Sequence, residues 1–101
     1  MNGKVTLMIL GAFLFVAGPA HAGDASAGQA KAEECANCHG EDGKGDSDNP
    51  PIAGMAEADF IKVLKDYKSG ARTKNKAMIK ASAKLSDDDI ANLAAYYATL
   101  K

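Results

Sequence analysis

Cys35-Ala36-Asn37-Cys38-His39 is the stretch that decides how this 101-residue chain folds. Two cysteines three positions apart and an adjacent histidine form a C-x-x-C-H run, the pattern of a c-type haem attachment site. Each thiol can form a thioether to one of the two haem vinyl groups, and the imidazole can ligate the iron. The motif therefore predicts that Cys35, Cys38 and His39 hold one covalent haem c with its iron.

Two other kinds of site use closely spaced cysteines, a structural zinc site and a thioredoxin-like redox pair. A structural zinc site needs about four protein ligands, whereas residues 23–101 contain these two cysteines and a single histidine. A thioredoxin-like pair belongs to a βαβ unit, but residues 23–101 contain no alternating, β-rich segment. Haem attachment is therefore favoured over both.

The first 22 residues have the pattern of a cleaved secretory signal. Lys4 supplies a positive start, residues 5–17 are almost entirely apolar, and Ala20-His21-Ala22 forms an A-x-A cleavage site before Gly23. The apolar run is shorter than the roughly 20 residues that span a bilayer. We expect cleavage, export to the periplasm and no membrane anchor afterwards.

The remaining residues, 23–101, predict one small domain with a poor polypeptide core. Its only aromatic side chains are Phe60, Tyr67, Tyr96 and Tyr97. A large, flat, apolar cofactor would supply much of the missing buried surface. We therefore expect the haem-free protein to be largely unfolded.

Charge is distributed unevenly along this domain. Without Lys4 there are 11 basic and 13 acidic side chains, a net charge of −2. Residues 59–84 nevertheless hold eight basic side chains against Asp59 and Asp66. An exported, net-acidic chain is a poor candidate for binding nucleic acid, but such a dipole can orient the molecule toward a partner that is acidic at its docking surface. The eight basic residues are Lys62, Lys65, Lys68, Arg72, Lys74, Lys76, Lys80 and Lys84.

Helical periodicity predicts an all-α fold of about four helices around one haem. Asp24 is a suitable N-cap for a first helix over residues 25–36, and residues 40–54 form a loop rich in glycine and polar turn formers. A second helix spans residues 57–69, a short one follows, and Ser86 is the N-cap of the last. The apolar faces are Phe60, Ile61, Leu64 and Tyr67 in the second helix, and Ile90, Leu93, Ala94, Tyr97 and Leu100 in the last.

The iron of an electron carrier needs a sixth ligand besides His39. Signal cleavage would remove His21 and two of the four methionines, which leaves Met55 and Met78. Met55 ends the loop that follows His39, whereas Met78 comes after a further helix and the polar stretch 69–76, which can carry the chain to the opposite face of the haem. This order favours Met78, and packing roles remain open for both methionines.

The chain resembles a class I cytochrome c in the order of its motifs. These are the C-x-x-C-H run, Pro-x-Ile-x-Gly at residues 50–54, Met78, and Leu-Ser-Asp-Asp-Asp-Ile-Ala-Asn-Leu-Ala-Ala-Tyr-Tyr-Ala at residues 85–98. It is most similar to small bacterial monohaem cytochromes of the c-553/c-554 type and to single domains of the dihaem cytochromes c4. The resemblance covers residues 23–101.

The resemblance implies a role for each motif residue. Cys35 and Cys38 would form the thioethers, and His39 and Met78 would ligate the iron. The Pro50 carbonyl would accept a hydrogen bond from the His39 ring, which would fix the tautomer and tune the basicity of the ligand.

The resemblance also implies that the first and last helices cross where Gly28 faces Tyr96. The sequence departs from the family pattern at two positions. Ala32 stands where many members have an aromatic residue, and Met55 stands where cytochromes c4 usually have glutamine.

We expect a periplasmic one-electron carrier that is not an enzyme and exchanges electrons with redox partner proteins as a monomer or weak dimer. Histidine and methionine together would raise the reduction potential. One alternative is an electron-accepting subunit of a larger dehydrogenase. The other is a haem enzyme or gas sensor with an open sixth position, which requires that Met78 does not bind the iron.

Overall fold

The computed structural model describes residues 23–101, and within that range the chain forms five helices and no strands. The prediction of an all-α fold is confirmed. The predicted signal peptide, residues 1–22, lies outside the described residues. The helices are α1 (Ala25–Lys31), α2 (Glu33–His39), α3 (Glu57–Ser69), α4 (Lys76–Ala83) and α5 (Asp87–Ala98).

In place of the predicted first helix, residues 25–36, the chain forms two consecutive helices, α1 and α2. The second ends at His39, three residues after the predicted end. The two helices meet at Ala32, where ψ is −9° instead of the usual helical value. The Ala32 N–H donates to two carbonyl oxygens, that of Gly28 at 2.8 Å and that of Gln29 at 3.3 Å. The predicted end at residue 36 is wrong because no glycine or proline interrupts α2 before Gly40, where φ reaches 84°. The whole C-x-x-C-H run is therefore helical.

The structure confirms the predicted N-caps of α1 and α5. The Asp24 side chain accepts hydrogen bonds from two backbone N–H groups of α1, and α3 ends at Gly70, where φ is 92°. At the start of α5 the Ser86 hydroxyl accepts the Asp89 N–H while the Asp89 carboxylate accepts the Ser86 N–H, both at 3.0 Å. This capping box lowers the pKa of Asp89, chiefly through the Ser86 N–H.

Helices α1 and α5 pack closely where Gly28 faces α5. A Cβ atom added at Gly28 would clash with the Asn92 carbonyl and lie 2.9 Å from the Tyr96 Cβ. The Asn92 side chain also accepts the Asp24 N–H at 2.8 Å. The crossing of Gly28 and Tyr96 that the resemblance implies is therefore present.

The hydrophobic core lies between these two helices and α3. Tyr97 is at its centre, 1% exposed, with its ring stacked on Phe60 at 5.6 Å between centroids. The Tyr97 carbonyl also accepts the Gly54 N–H at 2.8 Å, which ties the end of the long loop to α5. The buried apolar residues are Ala32, Phe60, Leu64, Leu85, Ile90, Leu93, Ala94 and Tyr97.

Candidate cofactor site

Helix α2 presents the three motif residues together. Cys35 and Cys38 are three positions apart and Cys35 and His39 are four apart, which places them on one face of the helix. Both thiols are free; Cys35 is half-buried, Cys38 is exposed, and His39 is buried, with 7% of the residue exposed. One face of one short helix thus carries two sulfur atoms and an imidazole.

The loop after α2 sets the tautomer of His39. The Nδ1 atom of His39 lies 2.8 Å from the Pro50 carbonyl oxygen. Because a carbonyl oxygen only accepts, Nδ1 donates its proton and Nε2 keeps a free lone pair. The ring is therefore prepared to ligate a metal through Nε2.

A tight turn holds the Pro50 carbonyl in place. The Gly45 N–H donates to the His39 carbonyl at 2.7 Å, and the Asp46 N–H donates to the Asn49 carbonyl at 2.9 Å. The Asp46 carboxylate accepts the N–H groups of Asp48 and Asn49. These two bonds lower the pKa of Asp46, so its carboxylate stays ionised and keeps the turn closed.

An apolar cavity of about 370 Å³ lies beside this face of α2, within the size range of small-molecule sites. Cys35, Cys38 and His39 line it on one side. The loop and helices α3 and α4 supply most of its apolar wall. The apolar residues of the whole lining include Ile52, Met55, Phe60, Leu64, Met78 and Leu85, which follows α4.

Both candidate methionines line the cavity. Met55 belongs to the loop that also carries Pro50, whereas Met78 lies in the first turn of α4. Both are half-buried against the core. The Met78 N–H donates to the side-chain oxygen of Asn75 at 3.0 Å.

The cavity lining fits a haem. Two thiols, an imidazole nitrogen with a free lone pair and the side chains of two methionines line a mainly apolar space. Lys31 and Arg72 belong to the same lining and can face anionic groups of a ligand. The Arg72 guanidinium lies 5.5 Å from the centre of the Tyr67 ring, a cation–π distance.

Sequence reasoning assigned Tyr97 to core packing and missed its contact with the motif. Its buried hydroxyl lies close to the thiol of Cys35, which packs against the core. Burial raises the pKa values of both groups. The helical periodicity predicts Tyr97 on the buried face, but its proximity to Cys35 depends on the tertiary fold.

A second, more open depression of about 700 Å³ lies along α1, α2 and α5. Most of its lining side chains are polar, and it contains neither the motif cysteines nor His39. The smaller apolar cavity is therefore the candidate site.

A family model described as "Cytochrome c" matches residues 25–101. The chain belongs to the cytochrome c family. This cytochrome c therefore binds haem c, an iron-containing group attached covalently, and its relatives are electron-transfer cytochromes. The resemblance drawn from the ordered motifs is confirmed.

Two curated relatives place this cytochrome c more closely. Cytochrome c4 of Pseudomonas aeruginosa is 47% identical over 103 residues, which cover 100% of this chain and 50% of that protein. Cytochrome c-553 of Helicobacter pylori is 41% identical over 100 residues, covering 97% of this chain and 99% of that protein. The chain thus spans about half the length of the cytochrome c4 and almost all of the cytochrome c-553.

Solved structures of cytochrome c4 share the fold. The protein from Acidithiobacillus ferrooxidans aligns with a TM-score of 0.73 at 26% identity, over 78% of this chain and 51% of that one. Reduced cytochrome c4 from Pseudomonas stutzeri aligns with a TM-score of 0.71 at 28% identity, over 79% and 52%. The class I cytochrome c fold predicted from the motifs is confirmed.

Proposed function

We propose that this cytochrome c is a periplasmic one-electron carrier with a single haem c ligated by His39 and Met78. The observation that carries the proposal is that four groups line one apolar cavity: the two motif thiols, the His39 ring and the Met78 side chain. These residues would supply the two covalent anchors of the haem and the two protein ligands of its iron.

The residues around His39 define its role. Cys35 and Cys38 would form the two thioethers, and the Nε2 atom of His39 would ligate the iron. The Pro50 carbonyl holds the Nδ1 proton at 2.8 Å, which raises the basicity of the imidazole.

Met78 is the proposed sixth ligand because it reaches the cavity from a different element than His39. Met55 lies on the same loop as Pro50, five positions after the carbonyl that holds the His39 ring. Met78 belongs to α4, which follows α3 and packs against it. We assign Met55 a packing role in the wall.

The haem supplies a one-electron Fe(III)/Fe(II) couple when bound. The apolar wall, including Phe60, Leu64 and Leu85, excludes water and disfavours extra positive charge in the cavity. That environment favours a higher potential, as do the two ligands. If His39 and Met78 both ligate the iron, no position at the metal would remain for a substrate, so we propose that the protein is not an enzyme.

We propose that residues 1–22 are a cleaved signal peptide, that residues 23–101 are the cytochrome c domain, and that this domain works in the periplasm as a monomer or weak dimer. The A-x-A pattern before Gly23 supports cleavage at that position. Within residues 23–101, none of the helices combines the length and the apolar character that a membrane span requires.

The ligand assignment is tested by replacing each methionine in the holoprotein. Met78→Ala should abolish the weak red absorption band that methionine ligation gives ferric haem, and should lower the reduction potential. Met55→Ala, which removes a cavity-lining methionine from the other element, should leave both nearly unchanged. Visible spectra recorded during a redox titration measure both properties. Loss of the band in Met55→Ala alone would refute the assignment, and its absence from the unmodified protein would favour an open sixth position.

A further inference from the structure

The N-terminus of α4 has one side-chain cap, Asn75. Its Oδ1 atom accepts the Met78 N–H at 3.0 Å, and its carbonyl accepts the Ile79 N–H at 3.0 Å. The backbone of Asn75 is extended, with φ −116° and ψ 102°, as expected for an N-cap. A single residue thus satisfies two backbone donors of the first turns of α4.

Little else in α4 stabilises that end of the helix. Its eight residues include no acidic side chain in the first turn, and its first residue is Lys76, whose charge opposes the positive end of the helix dipole. Isolated helices shorter than about 12–15 residues are marginal in water. Helix α5, in contrast, begins with a capping box and three aspartates.

The N–H that Asn75 holds belongs to the proposed iron ligand itself. Met78 has a flexible, unbranched side chain, so the position of its sulfur depends on how firmly its backbone is held. Asn75 and Met78 both line the haem cavity and are both half-buried. Freeing this turn would let the backbone of Met78 move relative to the cavity.

We infer that Asn75 is a positioning residue that keeps Met78 on the haem iron by capping the first turn of α4. The inference rests on the proposed ligation by Met78. It assigns Asn75 an effect on ligand attachment that goes beyond the general stability of the fold.

Competition with imidazole in the ferric holoprotein tests this effect. Imidazole binds only where Met78 has left the iron, so its apparent affinity reports how often the ligand detaches. Asn75→Ala should increase that affinity about fivefold, which corresponds to the typical cost of losing an N-cap. Asn75→Ser and Asn75→Asp keep an oxygen acceptor at the N-cap and should stay close to the unmodified protein.

Ser86→Ala is the matched control, because it removes the N-cap hydroxyl of α5 at a helix that carries no proposed ligand. It should lower the midpoint of chemical unfolding as Asn75→Ala does, but leave imidazole affinity and the red ferric band unchanged. If Asn75→Ala does not retain haem, Asn75→Gly replaces it, since glycine is tolerated at an N-cap and lacks the acceptor. A smaller increase in imidazole affinity is then expected.

Failure of the inference and failure of the proposed ligation give different results. If the unmodified protein shows the methionine band and the caps at Asn75 and Ser86 affect imidazole binding equally, the capping role is refuted and ligation by Met78 stands. Equal effects of Asn75→Ala and Asn75→Ser would also refute it. If the unmodified protein lacks the band, both the ligation and the inference fail.

Discussion

At the scale of single residues, the hydrogen bond between His39 and Pro50 depends on a glycine. Gly45 has φ 69°, and a Cβ atom there would clash with the Asn49 carbonyl and lie 2.7 Å from the Pro50 oxygen. That oxygen is the acceptor of the His39 Nδ1 proton. Any side chain at Gly45 therefore displaces the atom that orients the proposed iron ligand.

Gly45→Ala should lower stability by about 1–2 kcal/mol through backbone strain alone. It should also raise the reduction potential, because an imidazole that loses its acceptor becomes a weaker donor to ferric iron. Chemical unfolding and a redox titration of the holoprotein measure the two effects.

Gly70→Ala is the control for this prediction. Gly70 also has a positive φ, 92°, but a Cβ there would meet no atom within 4 Å. It should lose similar stability and keep its potential. Equal shifts of potential in the two variants would show that the Pro50 carbonyl is not the cause.

At the scale of helices, the contact between α1 and α5 depends on the absence of a side chain at Gly28. Gly28→Ala would gain up to about 1 kcal/mol of helix propensity, whereas overpacking costs about 1–3 kcal/mol. The clash is with the Asn92 backbone, which cannot rotate away, so the cost should be near the upper end. We expect a net loss of about 1–2 kcal/mol in the unfolding of the holoprotein.

Ala27→Leu is the control for Gly28→Ala, since Ala27 is exposed in the same helix and leucine is also a good helix former. It should change stability by less than about 0.5 kcal/mol. A Gly28→Ala protein more stable than the original would mean that α1 and α5 separate easily.

The sequence predicts some helices better than others, for physical reasons. Helix α3 was predicted with the bounds observed, because its apolar spacing is regular and Gly70 ends it. The N-cap of α5 was predicted from Ser86. The break between α1 and α2 at Ala32 was not predicted, because no glycine or proline stands there.

The residues of the candidate site also differ in how well the sequence predicts their positions. Cys35, Cys38 and His39 follow from a local motif, whereas the position of Pro50 against His39 followed only from the family resemblance. The contact of Tyr97 with Cys35 depends on how the helices pack. The contact of Asn75 with the Met78 backbone depends on the residue at which α4 begins. Neither leaves a signal in the local sequence.

At the scale of the whole molecule, the basic side chains lie partly around the cavity. Lys74 and Lys76 are exposed and flank Asn75, which lines the cavity, as does Arg72. Lys62 is 2.9 Å from the Asp66 carboxylate, so part of its field is compensated. The lysines near Asn75 are therefore the better candidates for steering a partner.

We expect electron transfer to a negatively charged partner to slow as ionic strength rises. The Debye length falls from about 30 Å at 0.01 M to about 10 Å at 0.1 M, which screens the attraction between exposed charges. Replacing Lys74 and Lys76 together by glutamate should flatten this dependence more than replacing Lys65 and Lys84, two exposed lysines outside the cavity lining whose replacement changes the net charge equally. Stopped-flow rates at a series of salt concentrations make the comparison. Equal flattening in both double variants would mean that only net charge matters and that the lysines beside the cavity do not define a docking surface.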